Sequence, residues 1–303
     1  MYRIISLNGG GIRGVVEVIL LGRLISEVPK LLEKVDLLTG TSTGGIIALA
    51  LAAGVPLSRI RELYETKGKK IFLPYSPLYW GIATPKYSNV GLETLLREIL
   101  GDKKLGDLSV NVCIPSFDLD NGESGEDRMW KVKVFHNFPG KDSDHGMFAY
   151  DVALATSAAP TFFPSHKGYI DGGVVMNNPA MAALSLIRDR RIRWSPPQDG
   201  EVHVLSLGCG IPRQWVESED VNWGMAQWLT RLLDILMDGA LGVVDYQCRQ
   251  LLSDRYHSLS PFFPKGEDYK LDDYKNVHKL VDFAQRVDIS STVAWLKNSK
   301  WEE

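Results

Sequence analysis

An α/β fold, a parallel sheet covered by helices, is the architecture this sequence predicts, and three observations carry that expectation. Two short apolar runs of strand character, Ile4 to Leu7 and Val35 to Thr39, each end in a glycine-rich turn. Each then leads straight into an apolar segment of helical length. A β-α-β-α opening of this kind lays the two strands side by side and parallel. The chain of 303 residues, 45% hydrophobic, also has enough apolar material for a sizeable core.

The elements follow in order. The first strand passes through Asn8-Gly9-Gly10-Gly11-Ile12-Arg13-Gly14 into a helix that runs from Val15 to about Val28, ahead of Pro29. The second strand ends at Gly40-Thr41-Ser42-Thr43-Gly44, and the Ala-rich run behind it has the length of a buried helix ending at Gly54. Pro56 and Ser58 open a further helix from about Leu57 to Lys70. Ile71 to Ile82 mixes aromatics, prolines and glycine without a period and reads as a loop or broken helix. Leu92 to Leu100 is helical, and Val110 to Phe117 and Trp130 to Phe135 are strands. A polar hairpin connection containing Asn121-Gly122 joins these two strands. Asp151 to Ala159 is a helix stopped by Pro160, and Lys167 to Asp171 is a short strand entering Gly172-Gly173. Pro179 to Arg190 is a helix with proline in its first turn, and Val202 to Leu207 is a buried strand. From Trp223 onward the chain reads as mostly helical. Trp223, Trp228, Leu232, Leu233, Ile235 and Leu236 are expected in the core there. A lid, a dimer surface and plain cladding all stay open as roles for that region. No repeat or linker divides the chain, so residues 1–303 are expected to form one domain. Its motif-bearing core covers about 1–210, and its mainly helical part about 221–303.

Composition removes several function classes. A net charge of -3 gives no basis for nucleic-acid binding or for bulk attraction to an anionic membrane. The basic clusters Lys67/Lys69/Lys70 and Arg188/Arg190/Arg191/Arg193 read as solvated helix ends. Cys113, Cys209 and Cys248 are widely spaced with no C-x-x-C pair, which argues against a disulfide framework or a zinc site and fits a reduced cytoplasmic setting. The N-terminus lacks a secretory pattern. Arg231, Asp234 and Asp238 interrupt the most apolar later window, so no transmembrane segment is expected.

The chemistry centres on Ser42. In Gly-x-Ser-x-Gly, a strand turning straight into a helix brings its flanking positions together, and Gly40 and Gly44 have no Cβ to collide. The hydroxyl then stands out at a helix start, where free N–H groups favour developing negative charge. Ser42 is therefore the candidate nucleophile. The earlier turn spells Gly9-x-Gly11-x-x-Gly14, the dinucleotide-binding pattern. That reading needs an acidic residue at the end of the second strand, where Gly40-Thr41-Ser42 stands instead. A phosphate loop fails as well, because no Gly-Lys-Ser/Thr follows Gly40 to Gly45.

Acyl transfer explains both turns. A serine attacking an ester generates an oxyanion, which needs preorganised backbone donors. Gly10 and Gly11 are the first choice for these donors, with Gly9 shaping the turn. Arg13 either adds fixed positive charge behind this oxyanion hole or pairs with an acidic neighbour. The base is less obvious. None of His136, His145, His166, His203, His257 and His278 lies in a glycine-rich turn or strand-end loop of that kind, and only His166 is not dismissed by context. Asp171, at a strand end in Asp-Gly-Gly, has the setting the histidines lack.

Four motifs now stand in order: Asn8-Gly9-Gly10-Gly11-Ile12-Arg13-Gly14, Gly40-Thr41-Ser42-Thr43-Gly44-Gly45, Ser157-Ala158-Ala159-Pro160-Thr161-Phe162-Phe163-Pro164 and Asp171-Gly172-Gly173. Together they resemble the patatin-like phospholipase family over about two thirds of the chain. The family typically has Asp where this chain has Asn8, a position outside the family's catalytic scheme. The resemblance implies a three-layer α/β/α architecture around a mainly parallel, mixed sheet. It also implies a Ser42-Asp171 dyad without histidine and a glycine-rich oxyanion hole of Gly9, Gly10, Gly11 and Arg13. The activity it implies is hydrolysis of lipid acyl esters with no metal or other cofactor. The partner is then a lipid at a membrane or micelle surface, met by a protein that is cytoplasmic or peripheral at membranes; a homodimer stays open. For the lipid tail, Phe72, Tyr79 and Trp80, in the aromatic stretch from Ile71 to Ile82, either line an entrance or dip into the interface. The alternative is a loop packing its own core. Three rival functions remain: an esterase or lipase on neutral lipids or small esters, a hydrolase silent until a ligand or partner binds, and a binding protein on a dead scaffold. Ser42, Asp171 and both glycine turns weigh against the last.

Overall fold

The computed structural model describes residues 1–75, 84–198, 200–217, 221–229 and 231–303. Its centre is a sheet of β1 (Tyr2–Leu7), β2 (Leu37–Gly40), β3 (Asn111–Asp118), β4 (Lys131–His136), β5 (Tyr169–Asp171), β6 (Val202–Leu207) and β7 (Tyr256–Leu259). The spatial order is β4-β3-β2-β1-β6-β7. β3, β2, β1, β6 and β7 run parallel, whereas β4 and β5 are antiparallel to β3. β5 pairs with residues 116–118 of β3, past residues 111–113 where β2 is paired.

The helices are α1 (Gly14–Glu27), α2 (Thr43–Ala52), α3 (Leu57–Ile71), α4 (Val90–Leu100), α5 (Ala149–Thr156), α6 (Gly173–Met176), α7 (Ala180–Leu186), α8 (Met225–Leu229), α9 (Leu232–Leu252), α10 (Val277–Arg286) and α11 (Ser290–Asn298). Strand alternation sorts them into two layers. Ile5, Leu7, Leu38 and Leu205 pack into the larger core with α1 to α5 and α10. Ile4, Leu37, Cys113 and Val204 face the other way, against α7 and the Cys248–Leu252 end of α9. The result is the expected three-layer α/β/α fold with a mainly parallel, mixed sheet. α2 is apolar on every side, as a helix enclosed between sheet and outer helices must be.

Two expectations need correction. The helix expected to reach Arg190 stops at Leu186. Ile187 is buried, the Arg188 and Asp189 amides take the tighter i−3 carbonyls, and the Asp189 carboxylate captures the Arg191 amide and turns the chain. Among the described residues, the region after Trp223 holds four α-helices and one strand, Tyr256-His257-Ser258-Leu259, which forms β7. Four residues with polar neighbours in the middle give too short a pattern to read, and the pairing with β6 decides their state. The second correction concerns the apolar side chains expected in the core: Trp228, Leu232, Ile235 and Leu236 are 37%, 44%, 46% and 53% exposed, and Trp223 is half-buried against Trp228. α9 instead seats Cys248 and Leu252 against the sheet and leaves these side chains outside; the Leu233 side chain falls outside the description. Among the described residues no helix is long and apolar enough to cross a membrane.

Candidate active site

β2 delivers the serine turn. A Cβ on Gly40 would stand 2.1 Å from the Gly44 carbonyl oxygen, so the strand and the first turn of α2 are in backbone contact, as Gly-x-Ser-x-Gly requires. Ser42 sits at φ 54°, ψ −120°, a conformation an L-residue adopts only when its surroundings enforce it. Two hydrogen bonds hold it there. Its N–H donates to Thr156 Oγ1 at 3.0 Å, and its carbonyl accepts the Ile46 N–H at 3.0 Å as α2 begins. Thr156 is fixed in turn by donating to the Pro115 carbonyl at 2.5 Å.

β5 delivers the carboxylate. Asp171 pairs with Ser116 on β3, its N–H donates to the Ala158 carbonyl, and its Oδ1 accepts the Gly173 N–H at 2.7 Å. Oδ2 is then free to accept the Ser42 hydroxyl at 2.6 Å. Both side chains are buried. Burial pushes the Asp171 carboxyl up to about 6, and the hydrogen bonds from Ser42 and Gly173 only partly oppose it.

The glycine turn after β1 lies against the same space. Gly9 donates its N–H to the Asn177 carbonyl at 2.9 Å, so that amide is already engaged. Among the described residues the Gly10 and Gly11 amides have no partner in the chain, and both glycines line the pocket that contains Ser42 and Asp171. Arg13 is buried. Its Nε–H donates to the Gly10 carbonyl at 3.3 Å, and among the described residues it forms no ion pair with a carboxylate. Its charge also acts on Asp238, whose carboxyl burial raises and Arg13 draws back down.

The cavity has a volume of about 70 Å³. Its walls are apolar: Ile46 from α2, Leu63 from α3, Leu92 from α4, Phe162 and Phe163 after α5, and Met237 from α9. Phe72 lines it too, packed among Tyr87, Phe163 and Tyr274. Tyr79 and Trp80 lie outside the described residues.

The histidines are elsewhere. His166 Nε2 is paired with Asp151 Oδ1 at 2.8 Å, and Lys167 takes the other oxygen of that carboxylate. His257 bonds Thr292, His203 lies on β6, and none of the six histidines borders the pocket. Sequence reasoning missed Thr156, Asn177, Met237 and Leu271. Thr156 immediately precedes the Ser157-Ala158-Ala159-Pro160 motif and Asn177 follows Asp-Gly-Gly closely, so both carried a signal of position. Met237 and Leu271 carried none.

Fold and pocket together define a class, an α/β protein whose serine turn opens on an apolar pocket. Residues 5–184 match the sequence model of the patatin-like phospholipase family, and the chain belongs to that family of lipid-hydrolysing enzymes. A Pseudomonas aeruginosa protein named cGAMP-activated phospholipase is 32% identical over 269 residues, covering 85% of this chain and 78% of the relative. Patatin-like protein 2 of Arabidopsis thaliana is 34% identical over 295 residues, covering 81% and 71%. Among solved structures, human GIVD cytosolic phospholipase A2 aligns with a TM-score of 0.47 at 12% identity, covering 98% of this chain and 60% of that one.

Proposed function

We propose that the protein is a serine carboxylic-ester hydrolase of the phospholipase A or lipid acyl hydrolase type, working through a Ser42-Asp171 dyad. The observation that carries this reading is the 2.6 Å contact between Ser42 Oγ and Asp171 Oδ2 beside an apolar pocket. Asp171 accepts the Ser42 proton as Oγ attacks the acyl carbonyl, and the Gly10 and Gly11 amides receive the oxyanion. Collapse of the tetrahedral species breaks the ester C–O bond, and the protonated Asp171 gives its proton to the departing alcohol. A water then loses a proton to Asp171 and attacks the acyl-Ser42 ester. The fatty acid leaves and Ser42 regains its proton. A carboxyl near 6 is a better base than an ordinary one near 3.8, and burial supplies that gain. The substrate is a lipid presented at a membrane or micelle surface, its acyl chain in the pocket.

Two measurements test this. A fluorophosphonate should label Ser42, and mass spectrometry over defined phospholipids, lysophospholipids and acylglycerols should find free fatty acid; neutral acylglycerols as the only substrates would move the reading to a lipase. The pH profile is the second. Asp171 must be ionised to act, so kcat/KM should fall as pH drops through about 6 and level off above it. A profile flat down to pH 4 excludes Asp171 as the base.

The name of the Pseudomonas aeruginosa relative favours one further reading, a phospholipase switched on by a signal ligand. Labelling of Ser42 that begins only after cGAMP is added would establish it; equal labelling with and without cGAMP would remove it.

A further inference from the structure

Glu17 lies on α1, one turn past the glycine loop, and is fully buried. Its neighbours Val15, Val16, Val18 and Ile19 are what a core helix needs at this depth; an acid there costs desolvation. Among the described residues no lysine or arginine pairs with it. Among the described residues its Oε1 accepts the Asn8 N–H at 2.7 Å, and the carboxyl also interacts with the Cys209 side chain. The same N–H also reaches the Leu207 carbonyl at 3.1 Å. On the other side of that residue, the Asn8 carbonyl accepts the Cys209 thiol at 3.5 Å. Cys209, just past β6, is also the wall behind Gly10: a Cβ on Gly10 would stand 2.5 Å from Cys209 Cβ and 2.7 Å from its Sγ.

Resting on the reading of Gly10 and Gly11 as oxyanion donors, we infer that Glu17 and Cys209 form a buried clamp on the Asn8 backbone that positions those two amides. Glu17 holds the N–H and Cys209 the carbonyl, so the residue entering the glycine turn cannot rotate about either peptide. Gly10 is pressed against the thiol side chain and has no room to retreat from the pocket. An oxyanion hole works only if its donors are fixed before charge develops, and three glycines in a row have no side chains to fix them. Glu17 is thus a positioning residue acting through Asn8. Burial also drives its carboxyl well above the usual carboxylate range, against the pull of the Asn8 amide and the Cys209 thiol. A glutamine supplies the same acceptor oxygen without a titratable group.

Steady-state kinetics on a dispersed phospholipid, with fluorophosphonate labelling, separate this role from simple support of α1. Glu17→Gln should keep kcat within about threefold of the parent. Glu17→Leu should lower kcat by about 10- to 100-fold, part of the effect of deleting one oxyanion donor. KM and the affinity for product fatty acid should stay within about threefold, and labelling of Ser42 should slow in parallel with kcat. Parental kcat in a folded Glu17→Leu protein overturns the clamp, as does a loss shared equally by KM and product binding. A Glu17→Gln variant as impaired as Glu17→Leu overturns it too. If Glu17→Leu does not fold, Cys209→Ala releases the other side, and kcat should drop about 10-fold at constant KM; an unchanged kcat overturns the proposal. A parent protein that neither hydrolyses lipid esters nor labels at Ser42 ends the functional reading itself. An active, labelled parent with an insensitive Glu17 ends only the clamp.

Discussion

Replacing Asp171 by Asn is expected to lower kcat by about 10³- to 10⁴-fold and, at the same time, to make the folded protein more stable at neutral pH. The activity loss follows from the proton. An amide keeps the shape of the carboxylate and its contact with the Gly173 N–H, but it cannot take the hydrogen from Ser42 Oγ. The stability gain follows from the folded-state value of about 6, above the ordinary 3.8. Above pH 6 the chain folds with an ionised Asp171 that burial penalises, and the penalty disappears as pH falls below 3.8. Removing the charge should therefore add up to about 3 kcal/mol at pH 8 and almost nothing at pH 4. Urea unfolding of both proteins at the two pH values tests the sign. An Asn variant less stable than the parent at pH 8 would show that Asp171 is held by favourable contacts and not against a burial cost.

The second large effect concerns Ser42. Ser42→Ala and Ser42→Gly should each reduce turnover by about five to six orders of magnitude and abolish labelling, as removal of a nucleophile does in other serine hydrolases. The two variants should differ in stability. Alanine inherits the left-handed φ of 54° with its cost, whereas glycine adopts it freely. The glycine variant should therefore unfold about 1 kcal/mol later than the alanine variant, even though glycine loosens the unfolded chain. Equal midpoints would mean that the turn is not strained at Ser42.

Much of this site could be read before the structure, because its parts are carried by turns whose spelling is dictated by backbone geometry. Gly40 and Gly44 mark a strand and helix in contact, and the contact is there at Cβ distance. The three-residue strand ending at Asp171 was legible because Gly172 and Gly173 follow it. What escaped the sequence lacks such constraints. Thr156 acts through a hydroxyl that ties Ser42 to β3, and threonines at helix ends are too common to single out. Met237 and Leu271 reach the pocket by tertiary packing alone. Hydrophobicity proved an unreliable guide on α9, where Leu232, Ile235 and Leu236 stay at the surface while Cys248 and Leu252 meet the sheet. Glu17 carried no signal in the sequence: an acid near a helix start is common because it complements the dipole, and only its zero exposure sets it apart.

α9 also sets an order of events during synthesis. Every group that meets at the Ser42 contact is encoded by Asp171, but Met237 and Leu271, which complete the pocket wall, leave the ribosome later. A chain interrupted before Met237 would carry Ser42 and Asp171 with one side of their pocket missing. Water entering from that side would erode the burial that raises Asp171. The last third of the chain therefore does more than clad the sheet: it closes a wall of the pocket whose other residues were made much earlier.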